Sequence, residues 1–480
     1  MASKVSCGGI LTLMHAGSSG ITIVFIILPL AAQTVCSQTF LPTCPDQAPE
    51  TFLNWAKRAA VPLTTEFGDF QRLRKSIGTA RVVGVGEAAR RVQEFYEIRT
   101  RMLKFLVKEM GFTALAMETG FAEAIKVNDY ILGYTGEPSN WQDWFTFGFG
   151  DEIETQAMIR WMRQYNEDPR HSRKIHFYGI DVMVPYSNPE TALKEAFTYL
   201  DKVDPAFISS PIRRDLEGLV RKFLGSGGSR ANMEKSFRAY AKLSIEDRNA
   251  YTAGIADLLA RFEAKRIDYI SRSSEHAYEW GRHAAVAARQ LDTTYRAALA
   301  GTQPGEQVTA VNPTLIWEAR DAAMFENVQW ALQREGPNGR LMLWAHNAHV
   351  SKGTVPTTRS DVVGLWERGP RLGLLLDKFL GPHFFSIGTV FYQGKPQWQH
   401  ARESAACGTL EGELGRIGSA AFLLDIRSSK TNRAKLEWLD KPRIMRADNS
   451  TADYRLIPSD AWDAIVFIRQ ITPVRVASPH

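Results

Sequence analysis

The stretch Arg81-Val-Val-Gly-Val-Gly86, followed directly by Glu87, decides the fold of this chain. It is short and apolar, which predicts a buried strand that ends at a carboxylate. Three further apolar runs end at a polar residue in the same way: Ala114–Met117 at Glu118, Ile175–Ile180 at Asp181, and Leu341–Ala345 at His346. Because helical periodicity separates these runs, a parallel sheet is predicted, and ligands bind beyond the carboxyl ends of such strands. The four polar residues are therefore predicted to share one active site.

The fold class that follows is α/β, with a mostly parallel central sheet flanked by helices. Helices are predicted over Pro49–Ala60 and Phe67–Ile77 before the first of these strands. Beyond Leu341–Ala345, strands are predicted over Phe384–Phe391, Ala420–Leu424 and Ala464–Ile468. Both halves of the chain must then share one sheet, so we expect residues 38–480 to have no clean sequential domain boundary.

Between residues 190 and 334 the strand signal vanishes. Apolar residues at helical spacing predict helices here, interrupted by the glycine- and serine-rich residues 225–229. The predicted helices are Thr191–Leu200, Ile212–Leu224, Asn232–Phe262 and Ile267–Ala300. We interpret residues 190–334 as a helical insertion or cap that helps to shape the cleft.

Composition is typical of a globular protein, with 44% hydrophobic and 23% charged residues. The net charge is +6 and the pI about 9.0. Lysine and arginine are interspersed with acidic residues instead of forming a basic stripe, which favours a solvated surface over a nucleic-acid footprint. No nucleic-acid partner is predicted, and the pattern does not indicate an oligomeric state.

Residues 1–37 have the features of a signal peptide. Ile21–Ala32 is an apolar run too short to span a membrane, and the residues after it suit cleavage following Ser37. The stretch before the run is long and has Lys4 as its one positive charge, so Met14 is an alternative start. Export without a stable membrane span is predicted.

Cleavage after Ser37 would leave two cysteines, Cys44 and Cys407. They could pair in an oxidising compartment, but a large sequence separation says nothing about the distance between them. A disulfide is therefore a hypothesis.

Two arginines occupy predicted apolar helix faces. Arg99 follows the spacing of Phe95, Met102 and Leu106, and Arg320 that of Trp317 and Met324. A buried arginine needs carboxylate partners, because an unpaired buried charge costs several kcal/mol.

The natural partners of Arg99 are Glu87 and Glu118. The alternative for each arginine is a purely structural ion pair. Two of them beside carboxylate-bearing strand ends favour a positioned polar site.

The motif His346-Asn347-Ala348-His349 follows the predicted strand Leu341–Ala345. A histidine near carboxylates suits general acid or base chemistry, whereas a structural histidine is the simpler alternative. The spacing also permits metal ligation with a carboxylate, but it specifies no third ligand. We predict no metal and no cofactor.

Several other chemistries lack their motifs. Gly84-Val-Gly86 is followed neither by the Gly-Lys-Ser/Thr of a phosphate-binding loop nor by the third glycine of a dinucleotide fingerprint. No Gly-x-Ser-x-Gly elbow provides a serine nucleophile. Acid/base chemistry that activates water remains.

The sequence resembles the erythromycin esterase family from about Phe67 to Val474. The matching residues are Gly86-Glu87, Glu94-Phe95, Arg99, Glu118, Phe177-Tyr178-Gly179-Ile180-Asp181, Arg320-Asp321, Met324, Asn327 and Trp344-Ala345-His346-Asn347-Ala348-His349. The resemblance implies metal-independent hydrolysis of an ester or macrolide lactone by an activated water, with a role in antibiotic inactivation. It maps the family's carboxylates to Glu87 and Glu118, its positioning arginines to Arg99 and Arg320, and a site histidine to His346.

One position departs from the family motif. The family motif reads Gly-Glu-x-x-His, and its histidine is the residue held to activate water. This chain has Arg90 at the position of that histidine. Arginine stays protonated in proteins and cannot act as a general base. Three outcomes are open. His346 or Glu118 replaces the base while Arg90 stabilises the oxyanion or an anionic group of the substrate; the cleft binds a small molecule without turning it over; or a related chemistry needs only the carboxylates and the remaining histidine.

The sequence-based hypothesis is an exported hydrolase of this type. Glu87 and Glu118 orient or activate water, and His346 transfers protons. Arg99, Arg320 and Arg90 fix charge. Asp181 and His349 are predicted to contact the substrate together with Arg90 and Arg320.

Overall fold

An eight-stranded, mostly parallel sheet lies at the centre of the chain, which confirms the predicted α/β fold. The strands of the computed structural model are β1 (Val61–Pro62), β2 (Val82–Val85), β3 (Ala114–Gly120), β4 (His176–Asp181), β5 (Leu341–Trp344), β6 (Phe384–Gly394), β7 (Ala421–Asp425), β8 (Arg443–Arg446), β9 (Asp453–Leu456) and β10 (Ala464–Ile471). Their order in the sheet is β1-β7-β10-β6-β2-β5-β3-β4, with β8 and β9 as a separate antiparallel pair. Among the strand pairs of the eight-stranded sheet, those of β7 with its neighbours β1 and β10 are antiparallel.

The structure describes residues 44, 46–64, 67–183, 186–224, 238–300, 313–353, 371–397, 401–429, 436–446 and 453–477. The predicted leader lies outside the described residues, and it stays a prediction. Residues 44–480 group into one compact unit. The predicted single domain over residues 38–480 stays a prediction.

Helices cover the sheet. They are α1 (Glu50–Ala59), α2 (Leu73–Ile77), α3 (Gln93–Met110), α4 (Phe121–Ile131), α5 (Ile153–Glu167), α6 (Pro189–Val203), α7 (Pro211–Phe223), α8 (Ile245–Ala264), α9 (Arg266–Ser271), α10 (Glu275–Ala298), α11 (Pro313–Arg334), α12 (Asn347–Val350), α13 (Leu372–Leu380), α14 (Leu410–Gly415) and α15 (Pro458–Ala461). The described part of the chain between β4 and β5 is helical and contains no strand. Whether it forms a separate insertion or cap stays a prediction. None of the described helices is long and apolar enough to cross a membrane.

Serine caps divide two of the predicted helices. The Ser244 hydroxyl accepts from the backbone N–H of Asp247, so α8 begins at Ile245 and not at Asn232. Residues 232–237 of that prediction lie outside the described residues. Ser274 caps α10 in the same way and separates it from α9, so Ile267–Ala300 is not one helix.

Other predictions missed local geometry. The predicted helix Phe67–Ile77 is a 3-10 helix over Phe67–Arg72 and an α-helix only from Leu73. The short strands β1, β8 and β9 were not predicted.

A disulfide joins Cys44 to Cys407, as the cysteine hypothesis allowed. The bond spans 363 positions of sequence and fastens the segment before α1 to the loop that leads into α14.

The strand ends at the centre of the sheet are fastened by backbone and side-chain bonds. Glu87 donates its N–H to the carbonyl of Ala345 at 3.1 Å, and its own carbonyl accepts from Asn347 N at 2.9 Å. The Asn347 side chain then bonds both backbone groups of Thr389 in β6, at 2.6 and 3.1 Å. Three adjacent strands, β5, β2 and β6, are therefore held in register where the first site carboxylate emerges.

The backbone at residue 86 packs so closely against Asn347 that only glycine fits there. A Cβ at residue 86 would lie 2.2 Å from Asn347 Oδ1, which is already engaged with Thr389. We expect Gly86→Ala to lower the free energy of unfolding by about 2–4 kcal/mol, through overpacking and loss of hydrogen bonds. Chemical denaturation measures this.

Gly218→Ala is the matched control. Gly218 lies within α7 with open space around its Cα, so alanine should be neutral or stabilise by about 0.5–1 kcal/mol. Equal stabilities for the two variants would contradict the role given to Gly86.

Candidate active site

Three carboxylates meet three arginines beyond the carboxyl ends of the central strands. Glu87 follows β2 by two residues, and Asp181 is the last residue of β4. Glu118 lies inside β3, where the pairing with β4 shifts register between Met117 and Gly120, so this strand runs past its predicted end. The four strand-end residues named from the sequence, these three and His346, are therefore brought together as predicted.

Arg99 holds Glu87. Its Nη2 donates to Glu87 Oε2, and both side chains are fully buried. The guanidinium lies 4.2 Å from the ring centroid of Trp344, a favourable cation–π distance. The prediction that Arg99 pairs with Glu87 is confirmed, whereas the pairing with Glu118 was wrong, because the ion pairs of Glu118 are with Arg90 and Arg320.

Arg320 ties three strand ends together. Its Nε and Nη2 donate to the two oxygens of Asp181 at 2.8 and 2.7 Å, and Nη2 also reaches Glu118 Oε1 at 2.6 Å. Its Nη1 donates to His349 Nε2 at 3.1 Å. Burial opposes the charge, but attraction to Asp181 and Glu118 outweighs it and raises the pKa of Arg320.

His349 is held from its other side by Asp321. His349 Nδ1 lies 2.7 Å from Asp321 Oδ1, and Arg371 donates to Asp321 Oδ2 at 3.1 Å. Burial alone would raise the pKa of Asp321, but His349 and Arg371 have the larger effect, and the net pKa is lowered. The carboxylate is therefore ionised and accepts a hydrogen bond from the Nδ1–H of His349. His349 Nε2 is then free of its own proton and accepts from Arg320.

These contacts place Asp181 and His349 against Arg320, where both are buried. Their predicted contact with substrate stays a prediction. Sequence reasoning gave no role to Asp321 or Arg371. The signal for Asp321 was its position beside Arg320 in the family motif, but nothing in the sequence marked Arg371.

Arg90 lies across both catalytic-candidate carboxylates. Its Nη2 donates to Glu118 Oε1, and its Nη1 is 3.8 Å from Glu87 Oε1. The Arg90 side chain is 16% exposed, whereas those of Glu87, Glu118 and Arg320 are at most 2% exposed. Arg90 is therefore the most exposed of these four charged side chains.

Glu118 is poorly suited to accept a proton. Burial alone would raise its pKa, but the positive charges of Arg90 and Arg320 hold the pKa well below its usual range. Its second oxygen accepts from the backbone N–H of His346 at 2.8 Å. Glu118 is therefore an anion that positions the two arginines.

His346 caps the short helix α12. Its Nδ1 accepts from the backbone N–H of Ala348 at 3.2 Å, so the neutral ring carries its proton on Nε2. The ring lies 6.2 Å, centroid to centroid, from that of Tyr454 in β9. In this tautomer Nε2 is the hydrogen-bond donor of the ring.

The metal-dependent alternative can be compared with the potential ligands. Among the residues that the structure describes, one cluster of three side chains could hold a metal ion by distance: Cys44, Cys407 and Glu413. Its two cysteines are joined in a disulfide. The Nδ1 atoms of His346 and His349 are engaged by Ala348 and Asp321.

Glu152 is a buried carboxyl beside the site that the sequence did not indicate. Thr155 donates to its Oε2 at 3.1 Å, and Arg91 Nη1 lies 3.7 Å from its Oε1. Burial raises the pKa of Glu152 from an ordinary value of 4.5 to about 8, opposed by Tyr96 and Arg91 and reinforced by Glu87. The direction of this shift favours the protonated carboxyl toward neutral pH.

This protonation predicts a pH-dependent stability. Between the two pKa values the folded chain keeps a proton that the unfolded chain has lost, so the stability of the wild type falls as pH rises from about 4.5 to about 8. Glu152→Gln removes this dependence. Its free energy of unfolding should exceed that of the wild type increasingly across this range, by a few kcal/mol at most near the upper end, and thermal unfolding at each pH measures this as a higher Tm.

The exposed Glu97→Gln variant is the control and should follow the wild type at every pH. A Glu152→Gln curve parallel to that of the wild type would show that the carboxyl is ionised in the folded protein.

The fold and site define a class of protein. A parallel sheet carries a polar cluster beyond its strand ends, as in α/β enzymes. The cluster offers buried carboxylates, fixed guanidinium groups and a histidine donor, the groups that hydrolytic acid/base chemistry uses.

Comparison with known proteins identifies the family. The erythromycin esterase family model matches residues 107–471. The chain is 26% identical to erythromycin esterase type II of Escherichia coli over 359 residues, which cover 72% of this chain and 78% of that protein. It is 24% identical to YbfO of Bacillus subtilis (strain 168) over 470 residues, which cover 94% of this chain and 98% of YbfO.

A solved structure agrees in fold. A mutant of the erythromycin esterase EreC, in an open conformation, aligns with a TM-score of 0.64 at 18% identity, covering 89% of this chain and 98% of that one. The chain belongs to the erythromycin esterase family. Membership supports a hydrolase function.

Proposed function

We propose that this protein hydrolyses an ester or macrolide lactone by direct attack of water, and that it acts in this way on an antibiotic of the macrolide type. One observation carries the proposal. Glu87 has one carboxylate oxygen bound by Arg99, whereas its Oε1 makes no direct hydrogen bond to any of the described residues and lies 3.8 Å from Nη1 of Arg90. A water bound at this oxygen lies next to a fixed positive charge.

The reaction follows from this arrangement. Glu87 Oε1 takes a proton from the water as its oxygen bonds to the carbonyl carbon. Arg90 and the Nε2–H of His346 stabilise the negative charge that develops on the carbonyl oxygen. The bond to the alcohol oxygen then breaks, and that oxygen takes the proton back from Glu87, which returns to its carboxylate form.

Each remaining residue has a positioning role. Arg99 orients Glu87, and Glu118 holds Arg90 and Arg320. Asp181, and Asp321 through His349, fix Arg320 from behind. This arrangement needs no cofactor, and a small-molecule ester or lactone is the partner.

A second candidate function is binding without turnover. The observation that favours it is the Arg90–Glu118 ion pair, which spans the entrance to both carboxylates. In that case a carbonyl or anionic group binds Arg90 and no bond is broken.

The deciding test is hydrolysis of a panel of macrolides and simple lactones, followed by mass spectrometry for the addition of one water. We expect a ring-opened product from the wild type. Glu87→Gln should reduce the rate by about 10²–10⁴, the contribution of a general base. Arg90→His removes one stabilising charge but supplies the base that the family motif has at this position, and the added base should outweigh the lost charge and raise the rate.

Arg90→Met is the matched control, since it removes the charge without supplying a base and should lower the rate. Glu118→Gln should also lower it, by releasing Arg90 and Arg320. A wild type and an Arg90→His variant that both bind macrolides without ring opening would establish the binding function instead. Full activity in Glu87→Gln would refute the proposed base.

We propose in addition that the protein is exported. Support comes from the Cys44–Cys407 disulfide, because such bonds persist in oxidising compartments. Alkylation of free thiols in protein taken directly from its native cells tests this, and free Cys44 and Cys407 would count against export.

A further inference from the structure

Phe147 stands over the guanidinium groups of the site. Its ring centroid lies 4.4 Å from Arg90 Cζ and 5.8 Å from Arg320 Cζ. The ring of Tyr186 packs on it at 4.4 Å. Phe147 and Arg90 are both half-buried, whereas the carboxylates behind them are buried. Phe147 is therefore a partly exposed neighbour of Arg90 at the site.

The backbone of Phe147 is held in a costly conformation. Among the described residues, two that are not glycine have a left-handed φ, Arg91 at 62° and Phe147 at 58°. The two are bonded to each other, because Arg91 Nη2 donates to the carbonyl of Phe147 at 2.9 Å. Such conformations cost about 1–3 kcal/mol each and persist where neighbouring structure enforces them, often at functional sites.

Several contacts enforce this turn. On the strand side, Thr146 exchanges hydrogen bonds with Thr119 and Gly120, directly after Glu118 in β3. On the other side, Gly148 leaves room for Arg91, since a Cβ there would lie 2.3 Å from Arg91 Nη2. The backbone carbonyl of Arg91 is itself fixed by Val474 N at 3.1 Å.

We propose that Phe147 is a specificity residue that contacts the substrate. Arg90 and Tyr186 cover the faces of its ring, so its edge contacts a flat apolar group attached to the reacting carbonyl, while Arg90 holds the carbonyl oxygen. This assignment rests on the proposed function, because it supposes that the reacting group is a carbonyl at Arg90. The chemical class that fits is an ester or lactone with an apolar, preferably unsaturated or aromatic, neighbour to that carbonyl.

A binding experiment tests this without requiring turnover. Ethyl phenylphosphonate and ethyl methylphosphonate are anions with the tetrahedral shape of the addition intermediate, and they differ in the flat apolar group. Isothermal titration calorimetry should show that the wild type prefers the phenyl compound by about threefold to tenfold, the range that one aromatic contact contributes. Phe147→Ala should bind both compounds equally, and Phe147→Tyr should keep the preference.

Two variants separate the ring from the backbone. Phe147→Gly removes the ring and relieves the left-handed φ, whereas Phe147→Ala removes the ring alone. Both should lose the phenyl preference, although the glycine variant should have the higher Tm. Phe147→Leu keeps apolar bulk and serves if the small variants fail to fold; it should lose most of the preference. Tyr134→Ala, at a side chain 72% exposed, is the control and should bind as the wild type does.

The outcomes distinguish the two proposals. A wild type that does not prefer the phenyl compound, that binds neither phosphonate, or whose preference survives Phe147→Ala and Phe147→Leu would overturn the role of Phe147. Absence of ester and lactone hydrolysis, with the phenyl preference intact and dependent on Phe147, would overturn the hydrolase function alone.

Discussion

Buried guanidinium groups need carboxylate partners, and this requirement shapes the centre of the molecule. Arg320 is 1% exposed and Arg99 is fully buried. Leaving the charge of either arginine unpaired would cost several kcal/mol, which is a large part of the net stability of a domain. Arg320 satisfies the requirement by reaching β3, β4 and the segment after β5 at once. The strands that carry these partners cannot shift relative to one another without exposing a charge to an apolar interior.

The sequence predicted this centre because its signals are local. Short apolar runs that end at Glu87, Glu118, Asp181 and His346 placed four groups at one edge of a sheet, and the structure brings them together. Helical spacing placed Arg99 and Arg320 on apolar faces, and both are buried. Strand order and the choice of carboxylate for each arginine depend on contacts between distant segments, which side-chain periodicity does not encode.

The residues that sequence reasoning missed share one property: their role comes from backbone shape or from burial. In the sequence Phe147 is one aromatic residue among many in its segment. In the structure a left-handed φ and the hydrogen bond from Arg91 place its ring over the arginines. Glu152 resembles any acidic residue at a helix start, but complete burial changes its protonation. Serine caps likewise divided two helices that periodicity had joined.

The disulfide described above has a consequence for how the chain responds to cutting. Cys44 and Cys407 enclose most of the sequence in one covalent loop. A protease that cleaves any peptide bond between them opens this loop without releasing a fragment, so the nicked molecule keeps its full mass until a reductant is added. Under non-reducing electrophoresis, a preparation that has been cut once is indistinguishable in mass from an intact one. Purity of this protein is therefore properly judged only after reduction.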